Sequence, residues 1–409
     1  MQRYDTYKDS GVKWLGEIPS HWEVKRLASY FTERHVKVSD KEYEPLSVTK
    51  LGVFPQWENV AKTNDGDNRK LVKKGDFVIN SRSDRKGSSG VSDRDGSVSL
   101  INIVLQPRNS IRADFSNYLL KSYKFIEEYY RNGRGIVADL WTTRYDEMKM
   151  IKLAVPPFEE QTAIANYLDT ITAKIDAAIA QQQKMIDFLN ERKQIIINRA
   201  VTKGLNPNAK MKDSGVEWIG EVPEHWDVRK LKYLLRQITA PSSSLNKIGL
   251  ENIESGTGKF VKTNSEYEGN GVQFEKGDIL YGKLRPYLKK VFLAEESGNA
   301  VGDFFVFRPN DKVEGMYMQL VLLSQTLTDK INSSTYGAKM PRVSIDFMGG
   351  LNIPLPSIDE QKVIVEFIHK DCKPIDNAID VANKQISLLQ ERKQIVINEV
   401  VTGKVKVTK

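Results

Sequence analysis

A chain of 409 residues, 40% hydrophobic and 28% charged, is long enough for two or three units that each bury a core. No run approaches the ~20 consecutive apolar residues of a membrane helix, the opening MQRYDTYKDSG lacks the apolar stretch of a secretion signal, and the single cysteine, Cys372, excludes an internal disulfide framework. The expectation is a soluble cytoplasmic protein with no membrane partner, and a formal net charge of +8 favours a polyanionic one.

The chain opens on KDSGVKWLGEIPSHWEVKRL (8–27), and this phrase returns as KDSGVEWIGEVPEHWDVRKL (212–231) with 13 of 20 positions identical. A second phrase, ERKQIIINRAVT (191–202), returns as ERKQIVINEVVT (391–402) with 9 of 12 identical. Such periodicity marks a duplicated unit. The ends of the two copies are alike and their middles have diverged, which suits a shared scaffold carrying two different readers. His21 and His225 occupy equivalent places before a tryptophan and are expected to cap or pack, while Trp14, Trp22, Trp218 and Trp226 are candidates to anchor each domain on the helix of the opposite copy.

Each middle reads as mixed α and β. The turn KKGD (73–76) leads into the apolar run FVIN (77–80), as EKGD (275–278) leads into ILYG (279–282). A second apolar run follows, SLINIVLQP (99–107) or VGDFFVFRP (301–309), and these are predicted buried strands. One helical stretch is then predicted in each copy, Phe115 to Tyr130 and Met316 to Ile331, ending in a loop at Gly135 or Gly337.

The loops after the first strands, SRSDRKGSSG (81–90) and GKLRPYLKK (282–290), are rich in arginine, lysine and serine. Arginine can bind guanine through two hydrogen bonds and lysine can neutralise phosphate. Arg82, Arg85 and Lys86 in one copy, with Lys283, Arg285, Tyr287 and Lys289 in the other, are therefore the candidate DNA contacts. Arg131, Arg134 and Arg144 form a second basic loop set, matched by Lys339 and Arg342.

After VPPFEEQ or LPSIDEQ come apolar residues three and four apart: Ile164, Leu168, Ile171, Ile175, Ala178, Met185, Leu189 and Ile196, then Ile364, Ile368, Ile375, Ala378, Ala382, Leu389 and Val396. This is a coiled-coil pattern, sustained for longer than an ordinary globular helix. Connectivity makes the pair antiparallel, since the first helix leads from the first domain to the second and the second helix starts there. A pseudo-twofold molecule with neighbouring termini is expected. The expected segments are a globular domain at 1–157, a helix at 158–203, a second domain at 204–356, a second helix at 357–403 and a basic tail at 404–409. The fold class is thus α+β, two tandem domains joined by an antiparallel two-helix coiled coil.

With these features in place, the sequence resembles the DNA specificity subunit of Type I restriction-modification systems, over essentially its whole length. The resemblance rests on the SGVxWxGExPxHW entries (Ser10–Trp22 and Ser214–Trp226), GDILYGKLRPYLKKV (277–291), STYGAKMPRVSIDF (334–347) and the two helices opening on EEQ and DEQ. It implies that each middle reads half of a split, asymmetric site in double-stranded DNA. It further implies that the helices set the spacing and dock two modification subunits that methylate adenine, with restriction subunits joining the assembly. Glu160, Gln161, Glu191, Arg192, Glu360, Gln361, Glu391 and Arg392 are the candidate subunit contacts. The first copy departs from the family phrase, with NSRSDRKGSSG where the second has YGKLRPYL.

Catalytic readings fare worse. Val155-Pro156-Pro157-Phe158 lacks the Asn or Asp that an amino-methyltransferase box needs to hold its amine. Gly256-Thr257-Gly258-Lys259-Phe260 has Phe260 where a phosphate loop needs a magnesium-binding hydroxyl. Glu191-Arg192-Lys193 has an acid-x-lysine spacing, but mid-helix and without a partnered aspartate nearby. Four histidines and one cysteine offer no metal-ligand spacing, so no metal or cofactor is expected. The chain is therefore read as non-catalytic, and the rival reading is a coiled-coil scaffold that does not discriminate sequence.

Overall fold

The computed structural model describes residues 2–56, 66–135, 141–242, 246–265, 267, 269–337 and 339–407. Its contacts divide the chain into two compact units, Met1–Gln182 with Lys384–Lys409 and Gln183–Asn383. Each long helix therefore contributes to both units, and each unit holds one mixed domain with a stretch of both helices.

In the first unit a four-stranded antiparallel sheet runs in the order Ser89–Val91, Phe77–Asn80, Asn102–Pro107, Phe31–Glu33. Both middle strands alternate between two apolar faces. Phe77, Ile79, Ile103 and Leu105 enter one core with the helices, while Val78 and Val104 enter a smaller one with Leu46, Val53, Val72 and Val98. Burial on both faces explains the continuous apolar runs. The second unit repeats the plan with the order Leu235–Ile238, Phe304–Pro309, Ile279–Gly282, Val291–Leu293. Ile279, Tyr281, Phe305 and Phe307 face the larger core, and Leu280, Phe292, Phe304 and Val306 the smaller.

The aspartate closing each KGD turn is buried at the start of an inner strand. Asp76 accepts the Lys73 N–H at 2.8 Å and two hydrogen bonds from Arg34, while Asp278 accepts the Glu275 N–H at 2.8 Å and two from Arg308. Arg34 follows the strand Phe31–Glu33, whereas Arg308 lies within Phe304–Pro309, so the two copies make the same pairing from non-equivalent positions.

The predicted single helix of each middle is two helices, Ala113–Lys121 with Tyr123–Arg131 and Gly315–Leu323 with Gln325–Asn332. A serine breaks each: Ser122 and Ser324 adopt extended backbone, and their hydroxyls turn back onto the carbonyls of Leu119 and Val321 at 2.7 Å. Serine competes for backbone partners in this way wherever a helix can be interrupted.

The long helices span Phe158–Lys203 and Ile358–Val401. Acids in their first turns, Glu159 and Glu160 or Asp359 and Glu360, complement the helix dipole. In the first unit Ile164 and Leu168 share a core with Val396, Val400 and Val401, and further along Asp176 takes the Lys393 ammonium at 2.7 Å. Numbers rise on one helix as they fall on the other, so the pairing is antiparallel. In the second unit Ile197, Ala200 and Val201 share a core with Ile364, Ile368 and Cys372, and Lys193 meets Asp376 at 2.6 Å.

The seam departs from its sequence reading on both helices. Met185 is 46% exposed, and buried Ile186 takes the position instead, because strict alternation of three and four runs 175, 179, 182, 186, 189 and seats half-buried Gln182 in the seam. Buried Cys372 fills the step between Ile368 and Ile375. The described ends of the chain meet within the first unit, where the Lys406 N–H donates to Gln2 at 2.9 Å.

Candidate nucleic-acid interface

In each unit the loop after the central strand is stitched to a later hairpin by the same four backbone hydrogen bonds. In the first unit Ser83 N donates to Trp141 O at 3.1 Å, Thr143 N to Ser81 O at 3.0 Å, and Arg134 and Thr142 exchange both bonds at 2.9 Å. In the second, Arg285 N donates to Pro341 O at 2.7 Å, Val343 N to Lys283 O at 3.2 Å, and Tyr336 and Arg342 exchange bonds at 3.1 and 3.0 Å. The two predicted basic loops of each copy are thus one surface, held at its base by strand pairing.

Within the first unit this junction unites Arg82, Arg134 and Arg144. Arg82 and Arg134 both pair with Thr142, and Arg144 follows it at the mouth of a cleft of about 580 Å3 that also exposes Leu100 and Ile101. Arg134 is 83% exposed, with Glu147 at 3.3 Å, and exposed Arg85 lies 3.8 Å from Asp84 on the intervening turn. Lys86 and Arg131 belong elsewhere. They line a separate groove beside Trp14, where Glu127 takes the Lys86 ammonium at 2.7 Å and Glu128 takes Arg131 through two hydrogen bonds.

In the second unit Asp303 gathers the basic residues, lying 3.0 Å from Arg342 and 3.8 Å from Lys283, which also sits over the Phe305 ring. Tyr287 and Lys339 are exposed. Arg285 and Lys289, in the same loop, are the two non-glycine residues with positive φ among those described, at +51° and +48°. Left-handed backbone at a side-chain-bearing residue is strained and is found where the surroundings impose it. Lys289 is among the candidate DNA contacts, but its ammonium donates to Gln325 at 2.6 Å and Gln194 at 3.3 Å, and burial pushes it below the usual lysine range. It braces the loop on the long helix and leaves Arg285 and Tyr287 to face outward.

The candidate subunit contacts divide in the same way. Gln161 and Gln361 are buried, and each amide is fully used: Gln161 accepts from Arg112 N and donates to Ser110 O and Pro156 O, as Gln361 does with Glu314 N, Lys312 O and Pro356 O. Their side chains serve the fold and are withdrawn from any partner. Glu160 and Glu360 also turn inward, accepting the indole N–H of Trp22 at 3.2 Å and of Trp226 at 3.0 Å. These tryptophans stand between both helices. A Cβ at Gly204, just past the end of the first long helix, would lie 3.1 Å from Trp226, and one at Gly403, past the second, would collide with Pro19 beside Trp22. Both glycines have positive φ, +69° and +72°.

Glu191, Arg192, Glu391 and Arg392 remain exposed. Beside them stand apolar residues absent from the sequence reading: Phe188 (69% exposed) and Ile195 (59%) on one helix, Leu388 (63%) and Ile395 (47%) at the same register on the other. Their signal was available, since they repeat every seven residues outside the seam.

Residues 256–260 lie in a turn closed by an Ile253–Phe260 bridge rather than between a strand and a helix, and Lys193 is taken by Asp376. Among the described residues no three His, Cys, Asp or Glu side chains group as a metal site, and no described helix is long and apolar enough to cross a membrane.

A family model described as Type I restriction modification DNA specificity domain matches twice, at residues 19–186 and 223–390. The chain is 24% identical to the Type I restriction enzyme MjaVIII specificity subunit of Methanocaldococcus jannaschii, across 98% of this chain and 97% of that one. It is 25% identical to the EcoDI specificity subunit of Escherichia coli across 67% of each. A solved structure reported for complex assembly and conformational transition of the type I R-M system superposes with a TM-score of 0.67 at 13% identity, covering 95% of this chain and 99% of that one.

Proposed function

The chain belongs to the Type I restriction-modification DNA specificity family, and from that premise we propose that each of its two domains reads one half of a split, asymmetric site in double-stranded DNA. It is the recognition component of such a system, works with DNA and the other subunits, and supplies no catalysis itself. The recognition domains are taken as 1–157 and 204–356, and the helices at 158–203 and 357–403 as the spacer.

The observation that carries the reading is the repeated junction: one backbone frame, braced in each unit, presents exposed cations that acids on the chain only partly satisfy. Arg82, Arg85, Arg134 and Arg144 are the contacts proposed for one half-site, and Lys283, Arg285, Tyr287, Lys339 and Arg342 for the other. Such cations supply phosphate affinity, while sequence is read where they reach base edges. The apolar stripes at Phe188 and Ile195, and at Leu388 and Ile395, rimmed by Glu191, Arg192, Glu391 and Arg392, are proposed to dock two modification subunits, since an apolar centre with a charged rim suits a protein interface. Those subunits methylate adenine, restriction subunits complete the assembly, and the whole acts in the cytoplasm.

The test is to co-express the chain with its modification subunits and map methylated adenines across the host DNA. One split motif with a fixed spacer is expected, and exchanging residues 204–356 for another middle should change one half of it. Methylation that is absent, or that occurs without this chain, refutes the reading and favours a scaffold.

A further inference from the structure

The junction holds a more specific arrangement than a basic patch. Thr142 pairs antiparallel with Arg82 on one side and Arg134 on the other, and Arg342 pairs with Leu284 and Tyr336 in the same way. Residues directly opposite in antiparallel strands project to the same face, ~5 Å from neighbour to neighbour. Each unit therefore presents a row of three side chains about 10 Å across, comparable with three base-pair steps at ~3.4 Å. The row reads Arg82, Thr142, Arg134 in the first unit and Leu284, Arg342, Tyr336 in the second. The backbone frames match bond for bond, and no position carries the same residue.

We propose that these two rows are the specificity-determining elements of the two half-sites, an inference that rests on the recognition function above. Two arginines flanking a threonine suit a half-site with two guanines, since arginine pairs with guanine O6 and N7 in the major groove. Leucine beside one arginine suits a thymine methyl next to a single guanine, with Tyr336, 61% exposed, stacking or bonding at the row's end. Glu147 on Arg134 and Asp303 on Arg342 hold the guanidinium groups in place before DNA arrives. The rows also explain why the halves differ: a shared frame fixes the docking, and the three side chains of each row, beside neighbours such as Arg285, set the bases.

The test grafts one row onto the other frame, as Arg82→Leu, Thr142→Arg, Arg134→Tyr in the full chain co-expressed with its modification subunits, with methylated adenines mapped as before. The half-site read by the first unit should change, losing guanine preference at two positions, while the other half and the spacer stay fixed. An unchanged motif overturns the assignment. Should the graft yield no methylation, Arg82→Ala decides, because its side chain is exposed: a fall of about fivefold or more in discrimination at one base of one half-site supports the row, and unaltered discrimination overturns it. A wild-type chain giving no split motif at all defeats the recognition reading instead.

Discussion

Glu160 accepts the indole N–H of fully buried Trp22 at 3.2 Å, and the same carboxylate takes the Tyr4 hydroxyl at 2.5 Å and lies 2.8 Å from the His21 ring. Its equivalent, Glu360, serves Trp226 and His225, both at 3.0 Å, and position 208, the counterpart of Tyr4, is an exposed asparagine. Removing an acceptor leaves buried donors unsatisfied at ~1–3 kcal/mol each. Glu160→Ala should therefore cost about 2–4 kcal/mol, more than Glu360→Ala, with Glu160→Gln recovering most of it by keeping an acceptor oxygen. Thermal unfolding of the full chain measures this, and equal losses from both alanine variants would contradict the unequal wiring.

Alkaline conditions should weaken the first unit before the second. Burial raises the hydroxyls of Tyr30 and Tyr118 to about 12, Tyr118 also through its bond to Asp169, and lifts Tyr4, Tyr129 and Tyr130 further. The second unit holds two such residues, Tyr281 and Tyr317. A folded pKa above the unfolded value of ~10 contributes stability that is complete below pH ~10 and is lost as pH rises through the folded value. Hydrogen exchange followed by peptide from pH 9 to 12 should show the first unit opening earlier. Tyr118→Phe should flatten that loss, and simultaneous opening of both units would refute the argument.

Most of the frame was legible in the sequence because it was written twice. The repeated entries, the apolar strands and the long helices each carry a pattern tied to a period, and periods survive translation into structure. What escaped depended on partners distant in sequence. Lys289 resembles Arg285 in the sequence, but Gln325 and Gln194 take its ammonium, while Lys86, close to Arg82 in sequence, lines the separate groove at Trp14, and no local feature marks either placement. Gln161 is a candidate subunit contact by resemblance, yet it lies on the helix face that meets Arg112 N and Ser110 O. The serine breaks at 122 and 324 were hidden inside otherwise helical runs.

Arg285 offers a separation of stability from recognition. Its φ of +51° costs an L-residue about 1 kcal/mol that glycine does not pay, although glycine's greater unfolded freedom returns part of the gain. Arg285→Gly should leave the second unit unchanged or up to ~1 kcal/mol more stable, while discrimination at one half-site falls by ~1–3 kcal/mol, as it should for Arg285→Ala. Binding to the mapped duplex and its single-base variants, with melting on the same samples, gives both quantities. Loss of stability in the glycine variant would mean the loop holds no strain there, and equal loss at both half-sites would remove Arg285 from base contact.

The exposed helix stripes make a stoichiometric prediction. Phe188 and Ile195 lie in the second unit and Leu388 and Ile395 in the first, at equivalent registers, so each stripe should hold one modification subunit. Because the four side chains are exposed, an aspartate there removes apolar contact area without leaving a cavity in the core. Phe188→Asp and Leu388→Asp should each yield complexes with one modification subunit, and the double variant should yield the chain alone, as native mass spectrometry of the co-expressed proteins would count. A double variant that still carries two subunits would move docking to another surface, and loss of both subunits from either single variant would mean that they bind as a linked pair.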